Sequence, residues 1–177
     1  MLKVIGIGGE PGTGKTTAMN LIMENLKGHI VPFEYLKLVK GYRYIEEKTV
    51  ILGVYNGETF SGTDKLSMAV VPQAIQFIKF FAKLRPTWKV IFEGDRLYTK
   101  KFFDSIAKKC DLTLIELYTD EETKQNRYRE RKSNQSEKWL KGRKTKLNNV
   151  AKDYDVTRID NTMIEDLQKI QQIVANA

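Results

Sequence analysis

Residues 9–16 read Gly-Glu-Pro-Gly-Thr-Gly-Lys-Thr, a G-x-x-x-x-G-K-T pattern set between a short apolar run and a helix-forming segment. Glycines in this spacing let the backbone turn so that N–H groups face a common point and cradle phosphate. The lysine then reaches the β- and γ-phosphates, and the hydroxyl after it binds Mg²⁺. Average composition yields the pattern by chance in roughly one chain of this length in a hundred. The flanks sharpen the reading. Leu2-Lys3-Val4-Ile5-Gly6-Ile7 suits a buried parallel strand. Thr16 to Lys27 places Met19, Ile22, Met23 and Leu26 on one helical face. Strand, loop and helix together put the phosphates on a helix N-terminus. The segment predicts nucleoside triphosphate binding through Gly9, Pro11, Gly12, Thr13, Gly14, Lys15, Thr16 and Thr17, with Thr16 on the metal. ATP is the default triphosphate.

A chain of 177 residues suits one domain, here taken as 1–177, with a substrate-side insertion about 37–66 and a basic lid about 121–150. Apolar residues make up 41% and charged residues 29%, as in a soluble globular chain, and no run approaches the length of a membrane span. The first strand begins at once, which leaves no room for a signal peptide. Cys110 is the one cysteine and His29 the one histidine, so an internal disulfide is excluded and a zinc site disfavoured. These features predict a cytoplasmic protein. Net charge is +8, and residues 121–150 hold ten Lys/Arg against four Glu. Such an excess fits nucleic-acid contact, a lid over triphosphate, or a solvated helix face.

Patterning along the chain alternates strands with helices. Ile30 to Leu36 reads as a strand. Thr49 to Tyr55, Asn56-Gly57 and Glu58-Thr59-Phe60 carry a hairpin signal. Pro72 opens a helix on which Ile75, Ile78 and Phe81 or Ala82 recur, and Pro86 stops it. Trp88 to Phe92 and Leu112 to Leu117 are buried strands, with a helix over Lys100 to Lys109 between them. Asp120 caps a helix running through Arg131; Ser133 to Ser136 breaks it, and a basic helix continues to about Lys152. A strand near Val156 to Asp160 and a helix from about Met163 close the order. The fold class is α/β, a parallel sheet with helices on both faces. Ligands in such sheets bind beyond the carboxyl ends of the strands.

Three strand ends carry candidate chemistry. Phe92-Glu93-Gly94-Asp95-Arg96 offers Glu93 or Asp95 as a carboxylate for Mg²⁺ and Arg96 for a phosphate. Phe60-Ser61-Gly62-Thr63-Asp64-Lys65-Leu66-Ser67 offers Asp64 as base for an attacking hydroxyl and Lys65 to steady the acceptor, although a Ser/Thr/Asp cluster before a helix also caps it. Arg127 and Arg131 share a helix face and could stabilise a transferring γ-phosphoryl group; Arg143 and Lys144 could join them from a closing lid. There is no Asn-Lys-x-Asp guanine segment and no strand ending in an Asp-Glu pair, which argues against a regulatory GTPase or an ATPase motor. A small kinase remains.

With these motifs the chain resembles the nucleoside-monophosphate-kinase-like group of P-loop kinases. More narrowly, Phe60 to Ser67 with Phe92-Glu93-Gly94-Asp95-Arg96-Leu97 and Leu140-Lys141-Gly142-Arg143 is similar to bacteriophage 5-hydroxymethyluracil DNA kinases. That resemblance implies an ATP- and Mg²⁺-dependent enzyme acting on the hydroxymethyl group of a modified pyrimidine in DNA, with Asp64 near the acceptor, Glu93 and Asp95 near Mg²⁺ and residues 121–150 over the phosphates. Lys65 stands where arginine is expected, which keeps the charge and loses the bidentate fork. Such a base must be flipped or single-stranded to meet a γ-phosphate. Tyr42, Tyr44 and Tyr55 either stack on it or simply cover the hairpin. Two alternatives stand beside this reading: a small-molecule or nucleoside monophosphate kinase, and a nucleotide-gated DNA-binding protein without phosphotransfer.

Overall fold

Apolar residues and glycines at every position but Lys3 make Leu2–Gly9 the central strand, β1, and everything else is arranged around it. In the computed structural model, which describes residues 1–57, 61–130, 136–163 and 165–177, seven strands form one sheet. The phosphate loop leads into helix α1 (Lys15–Asn25). Strands β2 (Ile30–Tyr35), β3 (Val39–Tyr44) and β4 (Thr49–Leu52) follow, then helix α2 (Val70–Leu84) and strand β5 (Lys89–Glu93). Helix α3 (Lys100–Ile106), strand β6 (Cys110–Tyr118), helices α4 (Glu121–Glu130) and α5 (Glu137–Asp153), strand β7 (Val156–Asp160) and helix α6 (Asp166–Asn176) complete the order. The sheet runs β2-β3-β4-β5-β1-β6-β7. Strands β4, β5, β1, β6 and β7 are parallel, and β2 and β3 extend one edge in antiparallel pairing.

Because alternate residues of a strand point to opposite faces, β1 divides the core in two. Leu2 and Val4 join the layer formed with α2, α3 and α5, while Ile5 and Ile7 pack beneath α1 and α6. On the first face the alternation ends in glycines. The Phe92 and Phe103 rings lie against Gly6, and the Tyr98 ring lies across Gly8. On the second face Lys3 donates to the Ala177 carbonyl and Lys89 to those of Val174 and Ala175, so two strand lysines satisfy the last carbonyls of α6.

The sequence-predicted elements recur with two differences on the β2 side. Strand β3 was not expected, because its hairpin with β2 turns through Leu36 and Lys37 (φ 48° and 66°), residues that carry none of the usual signal for a left-handed turn. It lies within the 37–66 range expected to be an insertion, as does β4, and both are strands of the main sheet. The strand expected over 49–55 ends at Leu52. Beyond it Gly53 takes φ 119°, and among the described residues Val54 forms an isolated bridge with Gly62. Gly57 has φ 76°, as an Asn-Gly turn requires, but the expected second arm, Glu58 to Phe60, lies outside the described residues. Edge strand β2 carries Pro32, paired in register with Tyr42.

Two glycines far from the phosphate loop should respond in opposite senses. A Cβ on Gly41 would meet the Ile51 backbone carbonyl, which cannot move away, so Gly41→Ala should lose about 1–3 kcal/mol. Gly142 lies inside α5 with open space around its Cα, so Gly142→Ala should gain about 0.5–1 kcal/mol. Urea unfolding midpoints measure both.

Candidate active site

Five parallel strands end on one side of the sheet, and the segments leaving β1, β4, β5, β6 and β7 meet there. From β1 the chain enters the phosphate loop through Gly9, Gly12 and Gly14, all with positive φ (142°, 78° and 87°). Lys15 is buried and folds back to donate to the carbonyls of Gly9 (2.8 Å) and Glu10 (3.0 Å). Thr13 Oγ1 also donates to the Glu10 carbonyl, at 2.8 Å. Thr16 and Thr17 lie in the first turn of α1, where backbone N–H groups have no intrahelical acceptor.

From β5 comes Glu93, whose side chain is buried beside the loop and accepts a hydrogen bond from Thr16 Oγ1 at 3.2 Å. The turn after it interlocks with residues 61–65. Thr63 Oγ1 donates to the Glu93 carbonyl at 2.7 Å, the Arg96 N–H donates to Asp64 Oδ1 at 3.1 Å, and Arg96 Nη2 donates to the Asp64 carbonyl at 3.1 Å. Neither Gly62 nor Gly94 has room for a side chain: a Cβ would strike the Glu93 carboxylate in one case and Thr63 in the other. Asp95 pairs with Arg143 of α5 (3.3 Å), whose guanidinium also lies 4.5 Å over the Trp139 ring. Lys65 donates to Asn56 Oδ1 at 2.8 Å.

Electrostatically this end of the site is acidic. Burial pushes the Glu93 carboxyl up to about 7, with Asp64 and Asp95 adding to the rise while Lys15 and the Thr16 hydroxyl oppose it. Burial also raises the Asp64 carboxyl, helped by the charge of Asp95 and opposed by Lys15 and the Arg96 N–H. The Tyr55 hydroxyl is buried without a hydrogen-bond partner among the described residues, and burial together with the charges of Glu93 and Asp64 holds it well above the ordinary phenol range. Tyr44 is in the core, only 2% exposed, which removes it from the set of tyrosines expected to stack on a base. Tyr42 and Tyr55 are partly exposed, on the same α1-facing cluster.

From β6, Asp120 caps α4 by accepting from the Thr123 N–H at 2.7 Å. Arg127 of this helix reaches the backbone of the phosphate loop. Arg127 donates through Nη1 to the Gly12 carbonyl (3.0 Å) and through Nη2 to the Asn161 carbonyl (3.1 Å). Arg131, its expected companion, lies outside the described residues. Sequence reasoning missed two contributors. Asn161, at the end of β7, is buried and donates to the Thr13 carbonyl at 2.7 Å, and Tyr128 donates to the Pro11 carbonyl at 2.9 Å. A lone Asn after a short strand and a Tyr in a charged helix carry no motif; only the order of β1, β6 and β7 brings them to the loop.

The oxygens available suit Mg²⁺. Thr16 and Glu93 already share a hydrogen bond at the mouth of the loop, and Mg²⁺ takes one or two protein oxygens and completes its shell with phosphate and water. Among the described residues, no three acidic, His or Cys side chains converge as a metal cage, and a cation held in this way needs none.

The raised Glu93 pKa makes stability depend on pH in a definite sense. The folded protein holds that proton more tightly than the unfolded chain, whose carboxyl titrates near 4.5. The contribution is therefore complete below about 4.5 and is lost as pH rises through about 7. In EDTA and without nucleotide, wild type should lose up to about 3 kcal/mol across that window, and Glu93→Gln should flatten the curve. Unfolding midpoints against pH measure it.

The chain matches a protein-family model described as P-loop Nucleotide Kinase3 over residues 2–171. No curated protein sequence matches it. Among solved structures, an unliganded sugar kinase from Janibacter sp. HTCC2649 is similar at 11% identity and a TM-score of 0.55, covering 100% of this chain and 96% of that one. An uncharacterized protein from Eubacterium ventriosum ATCC 27560 is 15% identical, with a TM-score of 0.49 and coverage of 98% and 96%. A gluconokinase from Sinorhizobium meliloti 1021 is 10% identical, with a TM-score of 0.42 and the same coverage. Similarity at these identities speaks for the fold alone. Among the described residues, no helix is long and apolar enough to cross a membrane. A phosphate loop at the end of the central strand, facing a buried carboxylate on the next strand, agrees with the family match: the chain belongs to the P-loop Nucleotide Kinase3 family and is a phosphotransferase.

Proposed function

We propose that this kinase transfers the γ-phosphoryl group of ATP to an uncharged hydroxyl, with the hydroxymethyl group of 5-hydroxymethyluracil in DNA as the favoured acceptor. One observation carries the first part. Asp64, Glu93 and Asp95 gather at the acceptor side of the loop, where Arg96 Nη2 donates to the Asp64 carbonyl and Arg143 pairs with Asp95. An acceptor phosphate would enter a field of its own sign, whereas an alcohol meets no such barrier. This arrangement disfavours nucleoside monophosphates. The DNA acceptor rests on the motif resemblance and on α5, which exposes Lys138, Lys141, Lys144, Lys146 and Lys152 to solvent, as backbone contact would need.

In the proposed reaction the acceptor oxygen bonds to the γ-phosphorus as the bond from that phosphorus to the β–γ bridging oxygen breaks, and ADP leaves. Asp64 takes the hydroxyl proton. Its Oδ1 is oriented by the Arg96 N–H, and its raised pKa strengthens it as a base. Lys15 exchanges its bonds to the Gly9 and Glu10 carbonyls for the β- and γ-phosphates. Thr16 and Glu93 would hold Mg²⁺; Asp95, tied to Arg143, would instead anchor α5 over the acceptor. Mg²⁺, when bound, supplies neutralising charge at the β- and γ-phosphates.

Incubation with γ-labelled ATP, Mg²⁺ and single-stranded DNA containing 5-hydroxymethyluracil should label that DNA, and neither thymine DNA nor free nucleotides. Asp64→Asn should lower kcat by about 10²- to 10⁴-fold while ATP affinity stays within about twofold. Label in a nucleoside monophosphate would overturn the uncharged acceptor. Label in a small alcohol would move the enzyme to metabolite kinases. Absence of any product alongside ATP-dependent DNA binding would favour a nucleotide-gated binding protein.

A further inference from the structure

The phosphate loop is gripped from outside. Each peptide plane carries the carbonyl of one residue and the N–H of the next on opposite sides. A loop that presents N–H groups to phosphate therefore turns its carbonyls away from it, and those carbonyls need donors of their own. Lys15 and Thr13, both within the loop, serve Gly9 and Glu10. The next three carbonyls are served from elsewhere in the chain: Pro11 by Tyr128, Gly12 by Arg127 and Thr13 by Asn161. Arg127 also bonds the Asn161 carbonyl, which joins two of these three donors to each other. Lys124 adds an ion pair to Glu10 at 3.3 Å.

These contacts are also what hold α4 in place. The helix buries no side chain of its own. Among the described residues, the bonds it sends to the rest of the fold end on Glu10, Pro11, Gly12 or Asn161. We infer that Arg127, Tyr128 and Asn161 are positioning residues for nucleotide binding: Tyr128 and Asn161 fix the outward carbonyls of Pro11 and Thr13 and so turn the Gly12 and Gly14 N–H groups toward the phosphates, while Arg127 holds the Gly12 carbonyl between them and ties Asn161 in place. Arg127 thereby acts on the nucleotide through the loop backbone. By linkage, a phosphate that locks the loop also locks α4, and an α4 that leaves the loop weakens phosphate binding by the same factor. The inference rests on nucleotide binding by the loop and is independent of the acceptor.

Inorganic tripolyphosphate with Mg²⁺ isolates the loop, because it offers neither base nor acceptor. Tyr128→Phe, Arg127→Ala and Asn161→Ala should each weaken its binding, measured by calorimetry, by about three- to tenfold. In ligand-free ¹H–¹⁵N spectra the Gly12 and Gly14 amides should shift in all three variants, and Arg127→Lys should recover part of the affinity through the Gly12 contact. Tyr128→Phe removes one oxygen from a surface helix, so its melting temperature should stay at that of wild type. Wild-type affinity and wild-type Gly12 and Gly14 amides in Tyr128→Phe would overturn the inference. So would an Arg127→Ala variant that binds weakly while its ligand-free amides keep their positions, since that pattern marks direct contact with phosphate. Failure of the labelling experiment to find an alcohol acceptor would leave these readouts unaffected.

Discussion

A loop that offers its N–H groups to a ligand has to place the opposing carbonyls somewhere, and that requirement organises this molecule around residues 9–13. The carbonyls of Gly9 and Glu10 are met by Lys15 and Thr13, those of Pro11, Gly12 and Thr13 by Tyr128, Arg127 and Asn161. The second group depends on strand order. Asn161 reaches the loop because β7 pairs with β6 and β6 with β1, and α4 reaches it because it leaves the end of β6 directly. The parallel sheet thus sets the strand ends side by side and also supplies, from distant parts of the chain, the donors that a glycine-rich loop cannot find within itself.

On the other side of the loop the governing force is charge at close quarters. Glu93, Asp64 and Asp95 are brought together by two tight turns whose glycines, Gly62 and Gly94, both adopt left-handed backbone. Such a cluster would repel itself were it not answered from several directions, by Lys15, the Thr16 hydroxyl, the Arg96 N–H and the Arg143 guanidinium. The two sides of the site are therefore built on different principles: backbone dipoles oriented by side chains where the phosphates bind, and carboxylates restrained by cations where the acceptor is proposed to enter.

Much of this was legible in the residues because local and tertiary preferences agree. The apolar runs that became β1, β5 and β6 admit no other placement in a chain that alternates them with amphipathic helices, and Asp120 caps α4 as its position before Glu121 and Glu122 suggests. Strand β3 was not legible, since its turn uses Leu36 and Lys37 in a backbone region where glycine or asparagine is the usual signal, and Gly41 interrupts its alternation. Nor was the commitment of Arg127 to the loop backbone. An arginine four residues from another reads as a phosphate fork on spacing alone; what it touches depends on Gly12 and Asn161, more than thirty residues away on either side. Pairings between distant segments leave no trace in composition or periodicity.

The sheet has a feature at its far edge that bears on the company this protein keeps. Strand β2 is the last on its side, with half of its backbone polar groups turned outward, and a strand in that position ordinarily invites another chain to continue the ladder. Pro32 stands near its middle while pairing with β3 in register at Tyr42. A proline within a paired edge strand points the nitrogen without a hydrogen away from its neighbour. The outer rim accordingly lacks a donor where an incoming strand would require one, and the ladder stops at seven. A single missing hydrogen thus makes this rim a poorer template for another strand.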